Sequence, residues 1–164
     1  MGMTLQMRRC SVATAETLRA NSGFLEFVMP GDYDAVPDSE LIDIDKSWHA
    51  IHFLLTGEAW SDALPQGALF AGEAVGGDPE VEPVARLLDP ETVKAFAGYL
   101  STKPDDFVET TLDFAALEAA DIYPQIWDRK DQTDIEYVAL FFRGLRSFVQ
   151  EAAAANEAIV QIIV

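Results

Sequence analysis

Residues 43–57 read DIDKSWHAIHFLLTG and are the most informative stretch of the sequence. At about 100° per residue, Trp48 and His52 fall on one face of a helix, and neighbouring apolar residues extend over the other faces. The pattern predicts a central, mostly buried helix. We expect it to begin at one of the two aspartates that open the stretch and to end at Gly57.

Two histidines of this helix need separate explanations. A buried imidazole requires hydrogen-bond partners, so His52 either fastens neighbouring backbone or serves a ligand site. The first interpretation is favoured, because the residues around His52 on its face are ordinary packing residues. His49 follows Asp45 by four residues, which predicts an ion pair on the helix surface, with an acid/base couple as the alternative.

Length and composition indicate one globular domain over residues 1–164. A chain of 164 residues can bury about 70% of its extended surface, and this one is 49% hydrophobic and 10% aromatic. No run of about 18 apolar residues occurs, and polar residues follow Arg8 and Arg9, so neither a membrane span nor a secretory signal is expected. The single cysteine, Cys10, indicates a reducing compartment, with the cytoplasm as the default.

The sequence is strongly acidic, with 28 Asp and Glu against 11 Lys and Arg and a formal net charge of −17. This charge repels phosphate backbones and anionic lipids, so direct nucleic-acid or membrane binding is not expected. Solubility is the simpler explanation of the charge, and attraction of a basic protein partner is the alternative.

Local patterns predict the remaining elements. The last strand is apolar and β-branched, which predicts burial on both faces or between neighbours. Because helices outnumber strands without regular alternation, the fold class is α+β, with a small sheet that contains both chain termini, several packed helices and a long C-terminal helix. Strands are expected over 4–10, 81–88 and 158–164, and helices after Ser11, after Asp89, near 104, near 112 and along the apolar seam from Ile135 to Ala152.

The familiar chemical motifs are absent from the sequence. It contains neither phosphate-binding glycine loop, no Gly-x-Ser-x-Gly and no His-Glu-x-x-His, so no cofactor is expected. Two histidines and one cysteine argue against a structural zinc site. The acids between Asp128 and Glu136 are interpreted as a solvated loop followed by the start of the last helix, where the helix dipole favours them. We therefore expect no metal site.

The chain resembles the bacterial YfbM-like family, a group with a domain of unknown function. The combination of Asp-Lys-x-Trp with His-x-x-Leu-Thr-Gly is fairly specific, and the resemblance covers nearly the whole chain. It implies a single α+β domain with no established reaction. Adjacent arginines in the first strand are a departure from the more uniformly hydrophobic start of family members. The matching segments are MGM at 1–3, LIDIDKSW at 41–48, IHFLLTG at 51–57, the glycine-containing segment 72–77, LDPETV at 88–93 and DIYP at 121–124 with Trp127.

Two classes of function follow from these observations. The preferred hypothesis is a cytosolic binding or protein-interaction module whose acidic surface meets a basic partner, as immunity proteins do by electrostatic steering. The alternative is a small-ligand binder or enzyme whose pocket joins His52 and Trp48 to Tyr123, with Asp45 tuning the imidazole. The candidate pocket residues are Asp45, Trp48, His52, Tyr123 and Trp127.

Overall fold

The computed structural model describes residues 2–78, 80 and 83–164, and its centre is one antiparallel sheet. The first and last strands of the chain are neighbours in this sheet. This arrangement confirms the predicted small sheet that contains both termini. The strands are β1 (Leu5–Cys10), β2 (Leu41–Asp43), β3 (Glu73–Gly76), β4 (Ala85–Leu88) and β5 (Ala158–Ile163). Their order across the sheet is β2-β1-β5-β4-β3.

Helices cover both faces of the sheet, which confirms the α+β class and the long C-terminal helix. Two short N-terminal helices pack on a small core against one face, and the remaining helices pack on a larger core against the other. Within the described part of the chain, no helix is both long and apolar enough to cross a membrane. The helices are α1 (Val12–Asn21), α2 (Phe24–Val28), α3 (Trp48–Thr56), α4 (Pro90–Ser101), α5 (Phe107–Thr111), α6 (Phe114–Ala119) and α7 (Gln132–Ala154).

Strand β5 is central and buried, as its composition predicts. It pairs with β1 on one side and β4 on the other, so its backbone has partners along both edges. Ile159 contributes to the large core, while Val160 and Ile162 contribute to the small core. Gln161 is the polar exception among these positions, and it is 2% exposed. A strand between two apolar layers must be apolar on both faces.

The central helix α3 begins later than its sequence indicates. A 3-10 turn over Asp45–Ser47 precedes it, so the helix begins at Trp48. The predicted end is confirmed, because Gly57 adopts a left-handed conformation with φ of 76° and its N–H donates to the carbonyl of Phe53. Strand β2 just before the turn was not predicted, since three residues are too few for an alternating pattern to show.

Two predicted helix starts are confirmed by their capping bonds. Ser11 accepts a hydrogen bond from the backbone N–H of Thr14 at 3.1 Å, and Asp89 accepts one from Thr92 at 2.7 Å. These bonds satisfy backbone donors that the first helical turn leaves open. Of the strand predicted over 81–88, β4 occupies Ala85–Leu88, and residues 81 and 82 lie outside the described residues.

The adjacent arginines of β1 lie on opposite faces of the sheet, because successive side chains of a strand alternate. Arg8 lies 4.0 Å from the centre of the Phe27 ring and donates to the carbonyl of the same residue. Arg9 forms ion pairs with Glu151 and Glu157 near the end of α7. Each cation therefore has its own partners, and β1 pairs with β5 along all six of its residues.

Candidate functional site

Trp48 is the centre of an aromatic cluster at the start of α3. Its ring stacks on the His49 ring at 4.9 Å and on the Tyr123 ring at 5.7 Å, measured between centroids. The indole N–H donates to the carbonyl of Met3 at 3.1 Å, and Trp48 is 1% exposed. Trp48 therefore joins the N-terminal segment to the loop after α6 and has almost no surface available to a ligand.

His49 is buried and bonded on both ring nitrogens. Nδ1 accepts a hydrogen bond from the backbone N–H of Tyr123 at 3.0 Å, and Nε2 lies 2.8 Å from the carbonyl oxygen of Ala59. This pattern assigns the proton to Nε2 in a neutral ring. Burial lowers the pKa of His49, and the bond to Ala59 opposes that effect. The histidine thus holds two loops together.

The predicted ion pair between Asp45 and His49 is wrong. Asp45 lies in the turn before α3 with a φ of 48°, so the four-residue helical spacing does not apply to the pair. Its carboxylate instead accepts a hydrogen bond from the hydroxyl of Tyr137 at 2.8 Å. The expected tuning of an imidazole by Asp45 therefore has no geometric basis.

His52 is enclosed in the core with 0% exposure, which confirms its predicted burial. The prediction of hydrogen-bond partners is wrong, because neither ring nitrogen has one among the residues described. Its ring lies 4.2 Å from the Phe70 ring in a perpendicular arrangement. Burial, together with the neighbouring His49, lowers the pKa of His52 to about 4, so the ring is neutral at neutral pH.

Asp45 lines a cleft of about 420 Å³ between the loop after α6 and the start of α7. Tyr137 lies in the same cleft, where its hydroxyl also accepts the backbone N–H of Lys46 at 3.1 Å. Burial and the bond to Asp45 raise the pKa of Tyr137. Arg129 lines the cleft as well, but its guanidinium is already paired with Asp134.

Trp127 lines a different cleft, of about 240 Å³, that carries the carboxylates of Glu118, Asp121 and Asp128. The Trp127 indole donates to the carbonyl of Ile122 at 2.7 Å, and the residue is 2% exposed. It pins the loop onto the core, as an aromatic residue with a polar atom often does. The five candidate residues thus have different surroundings, and their grouping into one pocket stays a prediction.

The acids near the start of α7 have the structural roles that the sequence indicates. Asp131 accepts a hydrogen bond from the backbone N–H of Thr133 at 2.9 Å and caps the helix. Asp134, in the first turn, is 5% exposed and pairs with Arg129. Both carboxylates sit where the positive end of the helix dipole favours them.

Trp60 is the surface residue that sequence reasoning missed. It is 66% exposed, although its ring packs on the His49 ring at 4.6 Å and on the Phe70 ring at 5.1 Å between centroids. Trp60 lies in the loop after α3 and borders a cleft of about 350 Å³ with Asp62 and Arg86. The available signal was a tryptophan in a short polar segment that follows the helix-ending glycine.

The arginines of the protein are largely occupied by internal ion pairs. Within residues 2–78, 80 and 83–164, Arg86 is the arginine for which no carboxylate partner is present. Most of the acidic excess therefore stays uncompensated at the surface. The pairs are Arg8–Glu40, Arg9–Glu151, Arg9–Glu157, Arg19–Glu73, Arg129–Asp134, Arg143–Glu109 and Arg146–Asp105.

Comparison with known proteins establishes the family. The sequence profile described as a domain of unknown function (DUF1877) matches residues 1–162. The chain belongs to the DUF1877 family. A search of curated proteins finds no match to this DUF1877 chain.

The fold of the DUF1877 chain is similar to a solved structure, the crystal structure of a protein of unknown function, YfbM, from Escherichia coli. The TM-score is 0.72 at 16% sequence identity, and the match covers 98% of this chain and 99% of that chain. At this identity the similarity concerns the fold, and the predicted resemblance to YfbM-like proteins is confirmed.

Proposed function

We propose that this DUF1877 protein is an interaction module that binds a basic protein partner through the surface around Trp60. This surface, the Trp60 surface, consists of Glu58, Trp60, Asp62 and Leu64. The observation that carries the proposal is the 66% exposure of the Trp60 indole in an acidic protein. Tryptophan is among the residues that contribute most binding energy at protein interfaces.

The Trp60 surface has the composition of a protein-binding site. Trp60 and Leu64 are large apolar residues that are 66% and 51% exposed, and Glu58 and Asp62 are exposed acids beside them in the sequence. An apolar centre with a charged margin is typical of protein interfaces. Packing of the Trp60 ring on His49 and Phe70 holds the indole in place. Binding therefore costs less side-chain entropy than it would for an indole that rotates freely.

The negative net charge of the chain favours a basic protein as the partner over a nucleic acid or an anionic membrane. The net charge of −17 attracts a cationic protein and accelerates its association, while it disfavours nucleic acids and anionic membranes. An immunity-like protein that neutralises a basic partner would use this steering. We propose that the interaction takes place in the bacterial cytoplasm, a reducing compartment in which the free Cys10 would stay reduced. Burial also raises the pKa of the Cys10 thiol to about 11, so the thiol is protonated and unreactive at neutral pH.

The proposal is tested by affinity capture from a bacterial lysate, with Trp60→Ala as the variant. Leu140→Ala is the matched control, because Leu140 is a large apolar residue that is 63% exposed and belongs to α7, not to the Trp60 surface. We expect wild type and Leu140→Ala to retain the same basic protein. Trp60→Ala should lower the affinity at least about tenfold, the effect of removing an interface residue worth more than about 1.4 kcal/mol.

Salt dependence and fluorescence complete this test. Capture should weaken as ionic strength rises, because steering between exposed charges is screened. Trp48 and Trp127 are 1% and 2% exposed, so acrylamide quenching of tryptophan fluorescence reports mainly on Trp60. The purified partner should protect this indole from acrylamide. Equal capture by Trp60→Ala, or a bound partner that leaves quenching unchanged, contradicts the proposal.

The alternative function, a small-ligand binder or enzyme with a pocket around His52, Trp48 and Tyr123, has less support. His52 and Trp48 are enclosed by packed rings, so a ligand would reach them only after those rings move. A ligand that shifts the nuclear magnetic resonance (NMR) signals of both His52 and Tyr123 would reverse this preference.

A further inference from the structure

A small cavity lies between the sheet and the segment that contains Leu69 and Phe70. Its volume is about 130 Å³. Most of its wall is apolar, but two polar side chains on neighbouring strands, Arg86 and Gln161, also line it. The two residues are direct partners across β4 and β5, so their side chains lie on the same face of the sheet. The apolar lining residues are Leu5, Leu69, Phe70, Val84, Ile162 and Ile163.

Gln161 presents a hydrogen-bond acceptor with no partner. Its Nε2 donates to the carbonyl oxygens of Ala68 at 2.8 Å and Ala71 at 3.0 Å, which fixes the orientation of the amide. Among the residues described, nothing donates to its Oε1, although the residue is only 2% exposed. A buried acceptor without a donor costs about 1–3 kcal/mol, so a donor at this position would be favoured.

Arg86 presents a cation with spare donors. One guanidinium nitrogen, Nη1, donates to the carbonyl of Gly72 at 3.2 Å, and no described carboxylate pairs with the group. The same side chain and Phe70 also border the outer cleft beside Trp60. Arg86 therefore lies between the solvent-facing cleft and the inner cavity, where an anion could reach it.

We propose that this cavity binds a small hydroxycarboxylate, with the carboxylate on Arg86 and the hydroxyl donating to Oε1 of Gln161. A guanidinium binds a carboxylate with two parallel hydrogen bonds. The apolar wall disfavours a second charge, which argues for a hydroxyl donor over an ammonium. The cavity shares Phe70 and Arg86 with the cleft beside Trp60, but the polar contacts proposed for the ligand involve none of the residues of the Trp60 surface.

The cavity volume limits the ligand to about the size of lactate. An apolar cavity of about 150 Å³ accepts benzene, so this cavity of about 130 Å³ accommodates roughly six heavy atoms. L-lactate has that size and carries both required groups. Propionate lacks the hydroxyl, and lactamide lacks the charge, so these two compounds test the two polar contacts separately.

The experiment is an NMR titration of the full chain with L-lactate, propionate and lactamide. We expect saturable shifts of the backbone amides of Leu69, Arg86 and Gln161 with lactate. Affinity should fall at least about tenfold for lactamide and several-fold for propionate, because each lacks one hydrogen-bonding group. This comparison uses the wild-type protein, so it does not depend on the folding of a variant.

Variants test the role of Arg86 directly. Arg86→Gln should lower lactate affinity at least about tenfold, and Arg86→Lys, which keeps the charge, should lower it less. Arg143→Gln is the control, because it removes an equal charge from an exposed arginine on α7. Three results would overturn the proposal. They are the absence of a saturable shift with lactate, equal lactate affinities of Arg86→Gln and wild type, and a structure determined with lactate in which the cavity contains only water.

Discussion

His52 and His49 lie on the same helix and are both buried, yet their hydrogen bonding is opposite. His49 bonds Ala59 and the backbone of Tyr123, while neither ring nitrogen of His52 has a partner among the described residues. A polar group that is buried without a partner lowers stability, whereas one that is bonded on both sides links the segments around it. The pair therefore allows a direct comparison.

We expect His52→Leu to raise the free energy of unfolding by about 1 kcal/mol, because it removes two orphaned polar atoms and keeps a side chain of similar volume. His49→Leu is the matched control. It should lower the free energy of unfolding by about 2–4 kcal/mol, since it leaves the partly buried N–H of Tyr123 and carbonyl of Ala59 without their bonds to the ring. Urea denaturation measures both values. Equal losses in the two variants would mean that His52 has a partner after all.

The pH dependence of stability should contain a contribution from His52. Its pKa is lowered to about 4 in the folded state, below the unfolded value of about 6.5, so the unfolded chain binds more protons between these values. Stability therefore falls as pH decreases through that window. From about pH 7 to about pH 5 the loss from this group is about 2 kcal/mol.

Denaturation at both pH values measures this loss in wild type and in His52→Leu. The variant should lose about 2 kcal/mol less than wild type between the two pH values, because the remaining titrating groups, His49 included, are common to both proteins. The same loss in both proteins would show that the His52 ring takes up a proton in the folded state near its ordinary pKa.

Helix termini and the central strand are the elements whose sequence signals were most reliable. A capping residue acts on the backbone of the next few residues, so its pattern is local and can be read directly. Helix α4 is the clearest example, with Asp89 as its cap, Pro90 as its first residue and Glu91 in the first turn.

We expect Asp89→Ala to lower the free energy of unfolding by about 1 kcal/mol, because it leaves the N–H of Thr92 without its 2.7 Å partner. Asp89→Asn retains the capping oxygen and serves as the control, with an expected change of only a few tenths of a kcal/mol. Thermal or urea denaturation measures both. A neutral Asp89→Ala would show that another group or water replaces the cap.

The start of α3 and the strand β2 were harder to predict, for a shared reason. Asp45 has φ of 48° and bonds the Tyr137 hydroxyl of α7, while β2 exists through its pairing with β1. Both features depend on segments that are remote in sequence. A periodicity in a short window cannot report such contacts.

The net charge of the whole chain predicts how its stability depends on salt. With a net charge of −17 and most arginines already paired, repulsion among surface acids opposes the compact state. Raising ionic strength from about 0.01 M to about 0.15 M shortens the screening length from about 30 Å to about 8 Å and should raise the melting temperature. Calorimetry in NaCl and in KCl measures this effect. A melting temperature that falls with salt would mean that the surface ion pairs outweigh the repulsion.

The Trp60 surface and the Arg86–Gln161 cavity could not be predicted from the sequence. The sequence does not distinguish an exposed Trp60 from a buried one. In the structure the Trp60 ring packs against His49 and Phe70, yet the residue is 66% exposed. Arg86 and Gln161 are far apart in sequence and become neighbours through the pairing of β4 with β5. Neither arrangement has a local pattern.

The amino-acid order alone was enough to predict the burial of α3, the helix caps, the apolar centre of the sheet and the acidic character of the surface. Each of these follows from propensity, periodicity or charge within a short window. The partners of the two histidines, the exposure of Trp60 and the polar pair in the cavity required tertiary structure. Hydrogen bonding and burial depend on which distant segments meet, and chain topology decides that.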